Sequence, residues 1–204
     1  MPVVVPAPPA CATPQIFYGD YAPQAWKAFW TGAEAPASLG LDVDLIIGPT
    51  VLGVMLRAAE LSIMAGALAS PLFRVRCDPE AWRTTTLDVW PRALKTLSPR
   101  LEELRASFLA FASDRDLGAL VRDLLKLPGC LRLDYVDDAG DTSSFEVSIG
   151  SGQGPRAHVI ARETDLWPLF RGEVTLSKLL RSRFKMTGDT GYVLRLVATF
   201  ANGG

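Results

Sequence analysis

The side chains best suited to acid–base chemistry lie in the C-terminal half of this 204-residue chain. They are the only histidine, two carboxylates and two phenols: Asp134, Tyr135, Glu146, His158 and Tyr192. Burial in an apolar cavity would shift the pKa values of such groups and allow proton transfer. The sequence contains no catalytic triad, however, and a histidine on a predicted strand is often structural. Catalysis therefore stays open, and a protein that is not an enzyme is favoured.

Residues that could bind a metal ion or a phosphate lack the spacing of known sites. Asp137, Asp138 and Asp141 miss the regular ligand spacing and the Glu of an EF-hand loop, so a turn is the better interpretation. The sequence GSGQG at 150–154 lacks the Lys-Ser/Thr pair of a P-loop, and a predicted strand follows it. We therefore expect no metal and no cofactor.

Charge and cysteine content narrow the class of protein. Lys and Arg number 21 against 22 Asp and Glu, so no excess positive charge favours nucleic acid or an anionic membrane. Cys11, Cys77 and Cys130 are odd in number and widely spaced, which indicates free thiols in a reducing cytoplasm. The mean hydropathy of +0.18 fits either an apolar cavity or a well-filled core.

The N-terminal half is predicted to be helical. Residues 1–14 are rich in proline and should form a flexible tail before a helical region over 15–113. Trp26, Phe29 and Trp30 have the spacing of one helical face, which predicts either a core anchor or an aromatic lid. An exposed patch of these rings would instead indicate a protein-interaction surface.

An apolar stretch within this half is predicted to be a buried helix over residues 50–69, with Thr50 as its N-cap. It could be mistaken for a membrane span. Arg57 and Glu60 lie near its centre, where charge is costly in lipid, so we expect no stable membrane span.

After Gly129 the hydrophobic period changes from 3.6 to 2, which indicates strands. The expected elements of this part are strands at 131–135, 145–149 and 158–162, helices at 166–171 and 176–183, and a last strand at 192–200. The fold class is therefore α+β: a helical N-terminal half followed, over 114–204, by a mostly antiparallel sheet covered by helices.

The end of the chain carries a family resemblance. Leu169-Phe170-Arg171-Gly172 closes a short helix, an amphipathic helix follows, and Phe184-Lys185-Met186-Thr187-Gly188-Asp189-Thr190-Gly191 leads into the last predicted strand. This order resembles the sterol carrier protein 2 (SCP2-like) lipid-binding domain. The resemblance implies one sheet covered by helices, with an apolar ligand between them. The ligand-binding residues it implies are Leu169, Phe170, Leu176, Leu179, Leu180, Phe184, Met186, Val193, Leu194, Leu196 and Phe200.

A basic cluster accompanies these apolar residues, formed by Arg171, Lys178, Arg181, Arg183 and Lys185. It could receive a phosphate of coenzyme A or of a phospholipid. The alternative is the ordinary solvated charge of a helix face.

Three functions follow from these observations. The first is an intracellular lipid-binding or carrier protein that buries a sterol-, isoprenoid- or fatty-acyl-like ligand. The second is a cyclase or isomerase that acts on a hydrophobic lipid- or polyketide-like substrate in the same cavity. The third is an accessory interaction module of a biosynthetic complex, with a partner enzyme or a second copy of the chain as its partner.

Overall fold

One eight-stranded mixed sheet organises the chain in a computed structural model that describes residues 3–113 and 116–202. Its strands are β1 (Gly40–Ile47), β2 (Thr50–Arg57), β3 (Glu60–Ala65), β4 (Phe73–Cys77), β5 (Gly129–Val136), β6 (Thr142–Ile149), β7 (Arg156–Arg162) and β8 (Lys185–Gly188). The α-helices are α1 (Pro14–Ile16), α2 (Ala22–Phe29), α3 (Pro79–Arg83), α4 (Trp90–Leu97), α5 (Leu101–Ser113), α6 (Leu117–Leu125), α7 (Glu163–Phe170), α8 (Leu176–Ser182) and α9 (Thr190–Asn202). Two π-helical segments, Phe17–Tyr21 and Thr84–Val89, and a 3₁₀ turn, Ser98–Arg100, extend the N-terminal helices.

The strand order is β3-β2-β1-β4-β6-β5-β7-β8. Five of these seven pairings are antiparallel, and the pairs β1–β4 and β5–β7 are parallel. Each half contributes an antiparallel hairpin, β1–β2 in the first half and β5–β6 in the second. The first strand of each hairpin also pairs in parallel with a later strand: β1 with β4, and β5 with β7. The two halves meet where β4 pairs with β6. The α+β class and the mostly antiparallel sheet are confirmed.

The two faces of the sheet differ in chemistry because side chains alternate along each strand. One face, the apolar face, carries residues such as Val75, Leu133 and Val147, and the core clusters of the helices pack on it. The opposite face, the polar face, carries charged residues such as Arg76 and Glu146, which are direct neighbours. The core clusters therefore cover the apolar face of the sheet.

The helix predicted over residues 50–69 is wrong. This stretch forms β2 and β3, joined at Ala58, which has a positive φ of 48°. The sequence Arg57-Ala58-Ala59-Glu60 contains no Gly, Asn or Asp, the residues that would predict a hairpin turn. Contacts from outside the hairpin hold it instead: the Ala58 N–H donates to the Leu39 carbonyl at 2.8 Å, and Trp26 Nε1 donates to the Ala58 carbonyl at 3.0 Å.

The strand predicted over residues 192–200 is also wrong, because this segment belongs to helix α9. The Asp189 carboxylate accepts a hydrogen bond from the Tyr192 N–H at 2.8 Å and so caps the first turn. Val193, Leu196 and Val197 pack in the core with the i, i+3, i+4 spacing of a helix. The strand that follows Phe184 is instead the short edge strand β8.

A flexible tail was predicted for residues 1–14, and within it Val3, Val5 and Pro6 make contacts with the rest of the protein. Val3 is buried against Leu94 and Leu101. The Pro6 carbonyl accepts a hydrogen bond from Tyr21 Oη at 3.2 Å. The helix predicted around Trp26 is present as α2, and it follows α1 and the first π segment without a break.

Candidate ligand-binding site

A cavity of about 500 Å³ lies between the apolar face of the sheet and the last three helices. We call it the sheet cavity. Strands β4 to β7 form its floor, and α7, α8 and α9 form its roof. Its apolar lining consists of Phe73, Leu131, Leu133, Phe145, Val147, Ile149, Val159, Ala161, Leu166, Leu176, Leu180, Phe184, Val193, Leu196 and Val197. An almost entirely apolar surface of this size suits a small hydrophobic molecule.

Five of the residues predicted to bind ligand line this cavity: Leu176, Leu180, Phe184, Val193 and Leu196. The structure brings them together from α8, α9 and the segment between α8 and β8. Leu176 lines the cavity and is still 50% exposed, so it marks the side on which the cavity opens to solvent.

The other predicted ligand residues lie elsewhere. Leu179 is fully buried in the protein core, and Met186 packs against the main core cluster. Leu194 is on the exposed side of α9. Leu169 and Phe170 are half-buried at the end of α7. The Phe200 side chain lies outside the described residues.

Sequence reasoning missed the floor of the cavity. Every second residue of β5 and β6 contributes to it, including Leu131, Leu133, Phe145 and Val147. The alternation that predicted these strands was the available signal, because it places all four side chains on one face. The pattern of the strands alone did not predict that α7, α8 and α9 would leave a cavity above this face.

Two polar residues belong to the lining of the sheet cavity, Asp134 and Tyr135. The Asp134 carboxylate is bonded on the polar face, so Tyr135 supplies the polar side chain on the cavity side. Tyr135 is 8% exposed, and its buried hydroxyl has no hydrogen bond of acceptable geometry in the described part of the chain. Burial, followed by the nearby Glu163 carboxylate, raises the pKa of Tyr135 above its ordinary value. The phenol is therefore protonated at neutral pH, with the Glu163 carboxylate nearby as a competing acceptor.

An ion pair lies near Tyr135. Glu163 is 3% exposed, and its Oε1 lies 2.5 Å from Arg92 Nη1 on α4. The Arg92 guanidinium also lies 5.6 Å from the centre of the Trp167 ring, a cation–π distance. These contacts join a helix of the N-terminal half to α7.

Three of the predicted catalytic residues, Asp134, Glu146 and His158, lie on the polar face instead. Asp134 accepts hydrogen bonds from Arg132 Nε at 2.9 Å and Ser144 Oγ at 2.7 Å, and it lies 2.8 Å from His158 Nε2. Burial alone raises the pKa of Asp134, but these hydrogen bonds outweigh it and lower the pKa below its ordinary value. The carboxylate stands between Ser144 and His158, so the contacts do not form a serine–histidine relay.

The remaining catalytic candidates do not join that group. Glu146 is exposed on the polar face. Tyr192 is 1% exposed, its hydroxyl donates to the Leu127 carbonyl at 3.1 Å, and burial raises its pKa. The five candidates are thus divided between the two faces of the sheet.

The predicted basic cluster is mostly engaged locally or exposed. Arg171 pairs with Glu173, and Arg183 lies 3.4 Å from Asp165. Lys178 and Lys185 are exposed, and the Arg181 side chain lies outside the described residues. These contacts are those of a solvated surface.

The described residues contain no group of three or more His, Cys, Asp or Glu side chains arranged to hold a metal ion. The Asp137 carboxylate accepts hydrogen bonds from the N–H groups of Ala139 and Asp141, as expected of a turn. Among residues 3–113 and 116–202, no helix has the length and apolarity needed to cross a membrane.

No family model, curated protein or solved structure matches the chain. The SCP2-like resemblance therefore stays an expectation from the sequence, and the arguments for function come from the cavity itself.

Proposed function

We propose that the protein is a carrier that reversibly buries a neutral, lipid-like molecule in the sheet cavity. The observation that carries the proposal is the cavity of about 500 Å³ with an apolar lining and one unpaired buried hydroxyl, that of Tyr135. Its volume falls within the range of about 300–1,000 Å³ typical of small-molecule sites.

The apolar lining supplies affinity without chemistry. Each Å² of apolar surface removed from water contributes about 25 cal/mol. A sterol or isoprenoid would make such contacts with Phe73, Leu133 and Val147 on the floor and with Leu180 and Val193 on the roof. The affinity measured would be smaller than this sum, because ordering the ligand and the helices opposes binding.

The polar end selects the head group. The Tyr135 hydroxyl can donate a hydrogen bond to a ligand oxygen, which would satisfy a group that is otherwise buried without a partner. The Glu163 carboxylate next to it is paired with Arg92, so the described residues at this end offer no unpaired cation to an anionic head group. A hydroxyl, ester or quinone-type carbonyl is therefore favoured over a free carboxylate.

Entry and release require movement at the side where Leu176 is exposed. Helix α8 is seven residues long and contributes both Leu176 and Leu180 to the roof. A short helix of this kind depends on packing rather than on its own stability. We expect α8 to move outward as the ligand enters.

The test begins with native and denaturing mass spectrometry of protein purified without detergent, followed by titration with cholesterol, geranylgeraniol and palmitic acid. We expect a bound neutral lipid, and weaker binding of palmitic acid than of the two alcohols. Ala161→Phe should fill the cavity beside Tyr135 and reduce lipid binding at least tenfold. Ala198→Phe, the same substitution on the exposed side of α9, is the matched control.

Three results would contradict the proposal. Protein that is empty and binds none of the three lipids would favour an interaction module. A bound molecule that is chemically altered during incubation would favour the enzyme. Equal lipid binding by folded Ala161→Phe and Ala198→Phe would place the lipid outside the sheet cavity.

A further inference from the structure

A second cavity, of about 490 Å³, lies in the N-terminal half. Its walls come from the first π segment and α2, from the second π segment and α4, and from β3. Six aromatic rings line it: Phe17, Tyr18, Tyr21, Trp26, Phe29 and Trp90. We call it the aromatic cavity. We propose that it is a second binding site, separate from the sheet cavity, for a neutral and flat aromatic molecule.

A ligand in this cavity would meet ring surface rather than polar atoms, although some rings also pack on one another, as Trp26 does on Phe29. Trp26 Nε1 donates to the Ala58 carbonyl at 3.0 Å, and Trp90 Nε1 donates to Tyr21 Oη at 3.4 Å. Tyr21 Oη in turn donates to the Pro6 carbonyl. Since these polar edges are already paired, the remaining ring surface favours stacking and edge-to-face contacts with another aromatic ring.

The charge of the lining selects a neutral occupant. None of the described lining residues is Asp, Glu, Lys or Arg. An ionised ligand would lose its hydration here without gaining a charged partner, which is costly. Burial raises the pKa of Tyr18, although Trp82 and Thr86 partly oppose the effect, so its hydroxyl is protonated at neutral pH. The Tyr18 hydroxyl can therefore donate a hydrogen bond to one uncharged oxygen of the ligand.

The backbone gives independent support. The two π-helical segments of the described chain both border this cavity, with Tyr18 and Tyr21 from the first and Thr85 and Thr86 from the second. π-helical turns are rare and occur frequently at functional sites.

The N-terminal segment closes the cavity on one side. Val5 lines it directly, and Val3 is buried against Leu94 and Leu101, which also line it. This segment has no helical or strand hydrogen bonds of its own. It can therefore move aside for a ligand at smaller cost than the helices.

The test is ¹⁹F NMR of the full chain labelled with 5-fluorotryptophan and titrated with Nile red, a neutral planar dye. We expect saturable shifts of the Trp26 and Trp90 resonances. Ala25→Phe, in the wall of the aromatic cavity, should weaken this binding at least tenfold. Ala161→Phe, in the sheet cavity, should leave it unchanged and serves as the reciprocal control.

Unchanged Trp26 and Trp90 resonances in the unsubstituted protein would overturn the proposal, whatever the variants do. So would full dye affinity at these two residues in an Ala25→Phe variant that circular dichroism shows to be folded. Lipid binding that is lost in Ala161→Phe and kept in Ala25→Phe belongs to the sheet cavity. The carrier proposal and the aromatic-cavity proposal can therefore fail independently, and the two variants show which one has failed.

Discussion

Replacing Tyr135 by Phe should stabilise the ligand-free protein, which is the reverse of the usual effect of removing a buried polar group. The Tyr135 hydroxyl is buried without a hydrogen bond of acceptable geometry. A buried donor left without a partner costs about 1–3 kcal/mol, and Tyr135→Phe removes that cost while it keeps the ring. We therefore expect the free energy of unfolding to rise by up to about 1–3 kcal/mol.

Tyr192→Phe is the matched control. Tyr192 is also buried, 1% exposed against 8% for Tyr135, but its hydroxyl donates to the Leu127 carbonyl at 3.1 Å. The variant should lose about 1 kcal/mol or more, because it breaks that bond and leaves the carbonyl unpaired. For a chain of this length, each kcal/mol corresponds to a shift of about 2–4 °C in Tm.

The assay is urea denaturation of delipidated protein, monitored by circular dichroism, for the unsubstituted chain and both variants. The same Tyr135→Phe protein should bind cholesterol more weakly, by a few-fold to about tenfold, because one hydrogen bond of about 0.5–1.5 kcal/mol is lost. The reasoning is refuted if Tyr135→Phe lowers the free energy of unfolding as much as Tyr192→Phe does.

Two further predictions concern the sheet itself. Hydrogen bonds lower the folded-state pKa of Asp134 below its ordinary value of 3.8. The stability that the Asp134 carboxylate contributes is therefore complete above its unfolded-state pKa, and it is lost as the pH falls through the folded-state pKa. The advantage of the unsubstituted chain over Asp134→Asn in urea denaturation should therefore shrink from pH 7 to pH 3, and a constant difference would contradict the assignment. Gly129→Ala should cost about 1–3 kcal/mol, because a Cβ there would lie 2.6 Å from Cζ of the buried Tyr192 ring and 2.9 Å from the Pro155 carbonyl. Gly19→Ala, where a Cβ meets nothing within 4 Å, is the control for a Tm comparison, and equal Tm values for the two variants would refute the packing argument.

The spacing of hydrophobic residues was enough to predict a helix or strand where that element packs one face on the core. The alternation after Gly129 predicted β5, β6 and β7, because a strand with one covered face repeats every second residue. The spacing of Trp26, Phe29 and Trp30 predicted α2 for the same reason at helical period. The α+β class followed from these elements.

Local pattern failed where distant contacts decide the conformation. Residues 50–65 are apolar on most positions, so their period does not separate helix from strand. The Ala58 turn that makes them a hairpin is held by Leu39 and Trp26. The last segment shows the opposite error: its mostly apolar residues, in the order of the SCP2-like domain, suggested a strand. The Asp189 cap and packing in the core make it α9.

The candidate sites divide in the same way. The sequence alone indicated that the end of the chain carries buried apolar side chains, whether on helices or strands. Five of its eleven predicted ligand residues line the sheet cavity: Leu176, Leu180, Phe184, Val193 and Leu196. Only the tertiary structure decided that the Asp134 carboxylate is held on the polar face while Tyr135 lies on the cavity side. It also decided that Arg92 reaches Glu163 across 71 positions of the chain. Residue types and their period fix which surfaces must leave water, whereas the packing of distant elements fixes which polar group is left inside without a partner.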